Sequence, residues 1–359
     1  MTCETMGDTA VGPESLEVHE NRHIGLCAEG RRARWYTRTV LRLALAGDTM
    51  LGRMVAERLA DAGPASVVAA EVVDATQAAD VFVLNLECCI SDRGGRWAAP
   101  GKPFFFRAPP AAVETLALLG VDCVTLANNH ALDYGTVALT DTLDHLARAG
   151  IAVVGAGLDT DAARRPAVLE RGGVRLAVLG VTDHPADFAA TPDRPGVAFA
   201  DLWRGVPEWL TGAVAGSAAD ADAVLVTPHW GPNMVPVPAP HVLAAAGALR
   251  DAGATLVAGH SAHVFHGVDD RVLYDLGDFV DDYQIDRELR NDLGVLWLID
   301  VDHDGPARLE AVPLKLDFCH TRLASGHDAA WVRARLAAAC AAFDTTVTEK
   351  DGRVVVDLR

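Results

Sequence analysis

The chain has 359 residues, half of them hydrophobic, and a formal net charge of −18 at pH 7. That length and apolar content support a sizeable core, in one large domain or two small ones. The acidity excludes non-specific nucleic-acid binding, which needs Lys and Arg to replace phosphate counterions. It argues against docking on anionic membranes too, and favours a cation or a basic peptide.

Residues 1–38 read as a poorly ordered polar arm. They have no basic start followed by an apolar stretch, so they are not expected to be a secretory signal. No later run reaches the ~18 apolar residues of a membrane helix. From Arg42 onward, short apolar strands alternate with amphipathic helices. The strands are "LRLALAG", "DVFVLNLE", "CVTLAN", "AVVGAG", "RLAVLGV", "AVLVTPHWG", "TLVAGH", "RVLYDLG" and "VLWLIDV". Among the helices, "TVALTDTLDHLARAG" and "PHVLAAAGALRDAG" end in Gly, a frequent helix C-cap. Alternation of this kind predicts an α/β domain with largely buried sheets over residues 39–325. A C-terminal helix and strand over 326–359 are expected to pack on the same domain. The seven cysteines are irregularly spaced, without Cys-x-x-Cys, and read as reduced thiols of a cytoplasmic protein. Cys88 and Cys89 read as small buried residues.

Polar residues gather where strands end. Asp48 follows "LALAG", Glu87 ends "VFVLNLE", and Asn128, Asn129 and His130 follow "VTLA". Thr182, Asp183 and His184 follow "LAVLGV", His229 follows "VLVTP", His260 and His263 follow "TLVAG", and Asp278 follows "VLYDLG". In a mostly parallel sheet these ends share one edge, so the residues should converge on one crevice. A lone histidine after a strand is more often a packing residue than a ligand. Acid, amide and imidazole groups on so many strand ends instead suit a divalent ion such as Mg, Mn, Ca or Zn, with no organic cofactor. Asp281 and Asp282 could face the same crevice or lie in a solvated loop. "GKPFFFRAPP" reads as a loop over the site, with Lys102 and Arg107 able to bind a substrate carboxylate or phosphate. His19, His23, His145, His303 and His320 read as surface or packing residues, and His241, His266 and His327 are left open.

The ordered set "GDTMLGR", "NLE", "KPFFFRAPP", "LANNHALDYG", "HWG", "GHSAHV" and "YDLGDFV" resembles the poly-γ-glutamate capsule-biosynthesis CapA family of the calcineurin-like metallophosphoesterase superfamily. The resemblance covers roughly residues 41 to 300. It implies a four-layer α/β sandwich, two mixed β-sheets flanked by helices, with a two-metal site. Carried over, Asp48 is the first-motif aspartate, and Glu87 stands where a metal-bridging aspartate is expected. Asn129 is the metal-binding asparagine, His130 the catalytic histidine beside it, and His229 the lone histidine. His260 begins the last motif, with His263 as its displaced second histidine. Met50 replaces the first-motif histidine and is a poor ligand for a hard ion. One half-site is therefore expected to be weakened, with Asp48 either a ligand or a freed acid/base.

Two chemistries follow from that resemblance. One is inversion of an amino-acid Cα in a ribosomally made, lasso-type peptide or related polymer, the work of soluble tailoring epimerases that this chain resembles. His130, Asp48, His263 and Asp183 are the acid/base choices, with His184 in reserve. The other is phosphoester hydrolysis, and a binding protein with a vestigial metal site is a further alternative. The expected partners are a peptide or amino-acid polymer and a peptide-recognition protein, with no nucleic acid and no membrane.

Overall fold

The computed structural model describes residues 40–98, 101–302 and 304–358; the arm expected over residues 1–38 lies outside them, as do Cys3, Cys27 and His303. Residues 39–359 cluster as one unit. In chain order, the strands of the two main sheets are Leu41–Thr49 (β1), Val81–Leu86 (β2), Cys123–Thr125 (β3), Ala152–Val154 (β4), Ala167–Arg171 (β5), Val174–Thr182 (β6), Ala223–His229 (β7), Leu256–Ala258 (β8), Val268–Asp269 (β9), Val272–Leu273 (β10), Asp278–Val280 (β11), Leu293–Asp302 (β12), Gly305–Leu316 (β13), Thr321–Leu323 (β14), Val347–Lys350 (β15) and Arg353–Asp357 (β16). The first sheet runs β15-β16-β13-β12-β1-β2-β3-β4, with β11 on β1 and β14 on β13. The second runs β9-β10-β8-β7-β6-β5. Both mix parallel and antiparallel pairs.

Side-chain alternation explains the layering. Leu43, Leu45, Val83, Val178 and Leu225 meet in a core shared by both sheets. Their strand neighbours Ala44, Ala46, Phe82 and Leu84 face the other way, onto helical residues such as Val55, Leu116 and Leu139. Ala177, Leu179, Val224 and Val226 likewise meet Leu210, Val214 and Leu249 on the far side of the second sheet. The result is the expected stack of helices, sheet, sheet, helices. Because both faces of each sheet are covered, the strands read as near-continuous apolar runs. The helix Gly326–Ala341 buries Val332, Leu336 and Cys340, which share one helical face, in the inter-sheet core. β15 and β16 then form a hairpin on the edge of the first sheet. Among the described residues, no helix is long and apolar enough to cross a membrane.

One expected strand is cut short. "RVLYDLG" continues β10 only to Leu273, and β11 starts at Asp278 in the other sheet. Gly277, at φ +78°, makes the turn, and its carbonyl accepts from the Asp48 amide at 2.9 Å. A Cβ on Gly47 would stand 1.7 Å from that carbonyl oxygen. Only glycine at position 47 lets the backbones approach so closely, and the approach puts Asp278 beside Asp48 in parallel register.

Candidate active site

The strand ends converge as their sequence positions suggest. Asp48 is buried at the end of β1, and its Oδ1 accepts from Asn85 Nδ2 at 2.6 Å. Asn85 also lies 3.4 Å from His229 Nδ1 and accepts from Asn128 Nδ2 at 2.9 Å. Asn128 donates further to the Leu86 carbonyl and holds the His130 amide through its Oδ1. This amide chain fixes the loop from which Asn129 and His130 project.

The second sheet supplies the histidines. His229 ends β7 and bridges to His260 after β8. His260 Nδ1 lies 3.7 Å from Asp48 Oδ1. His263, at φ +60°, brings Nδ1 to 2.8 Å from Asp278 Oδ1 and 3.1 Å from Asp48 Oδ2. Asp275 pins this tight loop by accepting from the Ala262 and Gly277 amides at 2.7 and 2.9 Å.

Two sets of ligand atoms share Asp48. Asp48, His263 and Asp278 offer atoms within 4.8 Å of one another, and so do Asp48, Glu87 and His229. Glu87 Oε1, Asn129 Oδ1 and His260 Nδ1 are buried and lack a hydrogen-bond partner among the described residues. Such atoms cost free energy unless something satisfies them, and a divalent ion would. The donor set therefore fits a metal: carboxylate and amide oxygens with neutral imidazoles. Met50 is not part of it. Its side chain is fully buried in the core, with Sδ accepting from the Gly52 amide at 3.1 Å. Asp278 instead brings a carboxylate beside Asp48.

The electrostatics agree. Burial, then the charge of Asp48, pushes the Glu87 carboxyl well above its ordinary value. Burial also raises Asp278, and lifts Asp281 to about 6. Burial would raise Asp48 as well, but His263, His229 and His260 hold it below the usual carboxylate range. Burial keeps His229 well down and His260 at about 4, so both are neutral and free to ligate at neutral pH. Asp278, Glu87 and Asp48 push His263 well up against its burial, so an ion bound there would have to displace its proton before His263 could serve as a ligand. Carboxylates crowded this closely call for a cation.

Two histidines flank this cluster, each anchored on a carboxylate. His130 Nδ1 lies 2.6 Å from Asp133 Oδ2, and its Nε2 faces Glu87 Oε1 at 4.0 Å. Burial brings its pKa down to about 4 against the pull of Asp133. Phe106 stacks on the ring at 3.9 Å. His184 Nδ1 bonds to Asp183 Oδ1, and its ring lies 5.3 Å from that of His229. Asp183 Oδ2 also accepts from the Gly231 amide at 3.1 Å and lies 3.2 Å from His241 Nε2. All the polar capacity of Asp183 is thus spent on orienting neighbours.

Lys102 donates to the Asn129 carbonyl at 2.5 Å and pairs with Asp133 at 2.9 Å, so it braces the His130 loop from above. Arg107 lies over Tyr134 at 4.1 Å and donates to the Arg93 carbonyl. Asp282 accepts from the Met54 amide in the first turn of the helix Arg53–Ala62 and pairs with Arg53. Cys88 and Cys89 are buried thiols; burial pushes Cys89 up to about 12, too high for a nucleophile at neutral pH. His320 bonds the Ser66 carbonyl as a packing residue. Sequence reasoning left His241 open and missed Asn85, Asp133, Asp275 and Tyr283, whose hydroxyl donates to Glu87 at 3.2 Å.

The model of the bacterial capsule synthesis protein family PGA_cap matches residues 42–283. The chain is 36% identical over 277 residues to a probable polyglutamine synthesis accessory protein of Mycobacterium tuberculosis, covering 71% of each chain. It is 30% identical over 295 residues to the PGA biosynthesis protein CapA of Bacillus subtilis, covering 80% of this chain and 75% of that one. Among solved structures, a hypothetical protein from Thermus thermophilus aligns over 79% of this chain and 96% of its own, with a TM-score of 0.42 and 20% identity.

Proposed function

Because the chain belongs to the bacterial capsule synthesis protein family, we propose that it is a metal-dependent enzyme acting on an amino-acid polymer or peptide, and that it inverts a Cα centre by removing and returning a proton. One observation carries this reading: carboxylate-anchored histidines, His130 and His184, stand on either sheet beside one buried donor cluster. Inversion needs two proton carriers and a Lewis acid, and little else.

Asp48, Glu87, Asn129, His229, His260, His263 and Asp278 would hold the ion. Bound there, it would polarise a substrate carbonyl and lower the cost of the charge that develops as the Cα proton leaves. His130, neutral at pH 7, takes that proton on Nε2, while Asp133 holds Nδ1 and stabilises the imidazolium. His184, fixed by Asp183, returns a proton from the second sheet's side. Asp48 and His263 are ligands here, and Asp183 positions His184. The relatives' names place them in polymer synthesis as accessory and biosynthesis proteins, and setting polymer stereochemistry is a task of that kind.

The test is chiral analysis of products. L-γ-glutamyl oligomers and short linear peptides, incubated with metal-loaded protein and then hydrolysed, should yield D-residues, and a chelator should abolish them. The ligand sets that share Asp48 favour a second reading, phosphoester hydrolysis by a two-ion clamp. Phosphate release from simple esters, with no D-residue, would establish it.

A further inference from the structure

The cluster is crowded with carboxylates, and an acidic polymer approaching it meets repulsion unless a cation receives it first. Lys102 is committed to Asp133 and the Asn129 carbonyl, and is only 15% exposed. Arg107 lies against Tyr134. Arg53 differs. It adopts φ +51°, a left-handed conformation that is strained for a residue other than glycine. Its guanidinium carbon lies 5.6 Å from the Phe104 and Phe106 ring centroids and 6.0 Å from that of Tyr283. One nitrogen pairs with Asp282 at 3.1 Å, and the side chain is 35% exposed.

We propose that Arg53 is the anion anchor at the mouth of the site, taking a carboxylate of the substrate. This rests on the amino-acid-polymer reading above. Phe106 joins anchor and chemistry: its ring stacks on His130 at 3.9 Å, and its centroid lies 5.6 Å from the Arg53 guanidinium carbon. A carboxylate on Arg53 would sit within about four residues of extended chain from His130. Phe104, 55% exposed and stacked against Phe106, extends the same wall into solvent as a face for the chain. Arginine presents a planar fork, so a carboxylate can take the nitrogens that Asp282 leaves. The motif "GDTMLGR" thus ends on a recognition residue, five positions after the ligand Asp48.

Calorimetric titration of metal-loaded wild type, Arg53→Gln and Arg53→Lys tests this, with a γ-glutamyl tetramer and its methyl ester as ligands and metal content checked for each protein. Wild type should bind the acid at least about tenfold tighter than the ester. Arg53→Gln should remove that preference and leave ester affinity unchanged, and Arg53→Lys should keep part of it. Retention of the preference in Arg53→Gln, or equal loss of both ligands, overturns the anchor and leaves the polymer reading standing. Equal binding of acid and ester by wild type does the same. Failure of wild type to bind either ligand overturns the polymer reading and the anchor with it.

Discussion

Asp278 stands beside Asp48 in parallel register, and the two carboxylates share one histidine nitrogen, His263 Nδ1, at 2.8 and 3.1 Å. A different strand thereby supplies a carboxylate beside Asp48, where Met50 offers no ligand. Asp278→Asn should weaken metal binding about tenfold while Asp48→Asn loses nearly all of the metal, since Asp48 belongs to both ligand sets. Plasma mass spectrometry after dialysis reads this directly. Met50→His should not raise metal content, because position 50 faces the core; it should destabilise the fold by about 2–4 kcal/mol in urea unfolding.

The His130 loop separates chemistry from metal binding. Asp133→Asn should reduce kcat about a hundredfold with metal content unchanged, because it removes the anchor of the proton carrier and no ligand. Lys102→Met should give a smaller loss of the same kind. Steady-state kinetics beside metal analysis checks both.

Gly47→Ala tests the strand junction. A Cβ there meets the Gly277 carbonyl, so the β1–β11 pairing must open or shift. We expect about 3 kcal/mol or more of destabilisation by urea titration, and weaker metal binding with it.

His266 offers a pH signature away from the cluster. Burial brings its pKa down to about 4, although the Val235 carbonyl at 2.9 Å pulls the other way. An unfolded chain takes up this proton below about 6.5 while the folded chain refuses it until about 4, so the histidine's contribution is full at pH 7 and fades as pH falls across that window. The cost of His266→Gln should therefore be largest at pH 7 and shrink by about 1.4 kcal/mol per pH unit between 6.5 and 4. Urea unfolding of metal-free wild type and variant at several pH values measures it.

Much of the site was legible because strand ends are: apolar runs that stop at Asp, Glu, Asn or His mark one sheet edge without any knowledge of pairing. Asp48, Glu87, His229 and His260 come together as that pattern implies. What escaped depends on distances across the sheets. Asn85 is an ordinary strand residue until β3 brings Asn128 against it. His241 opens a helix, and only the fold carries it to Asp183. Asp275 looked like part of the strand before Asp278, because the reversal at Gly277 turns on backbone approach to Gly47. Asp133 was nearer to hand: three residues after His130, in a run of turn residues, it was already within reach.

Deuterium wash-in tests inversion at Cα most directly. Metal-loaded protein in heavy water, with γ-glutamyl oligomers or short linear peptides, should place one deuteron on each inverted Cα. Mass spectrometry should show that gain, and it should disappear with a chelator and in His130→Ala. No gain on any substrate, with phosphate released from simple esters in the same tubes, would contradict inversion and assign the site to hydrolysis.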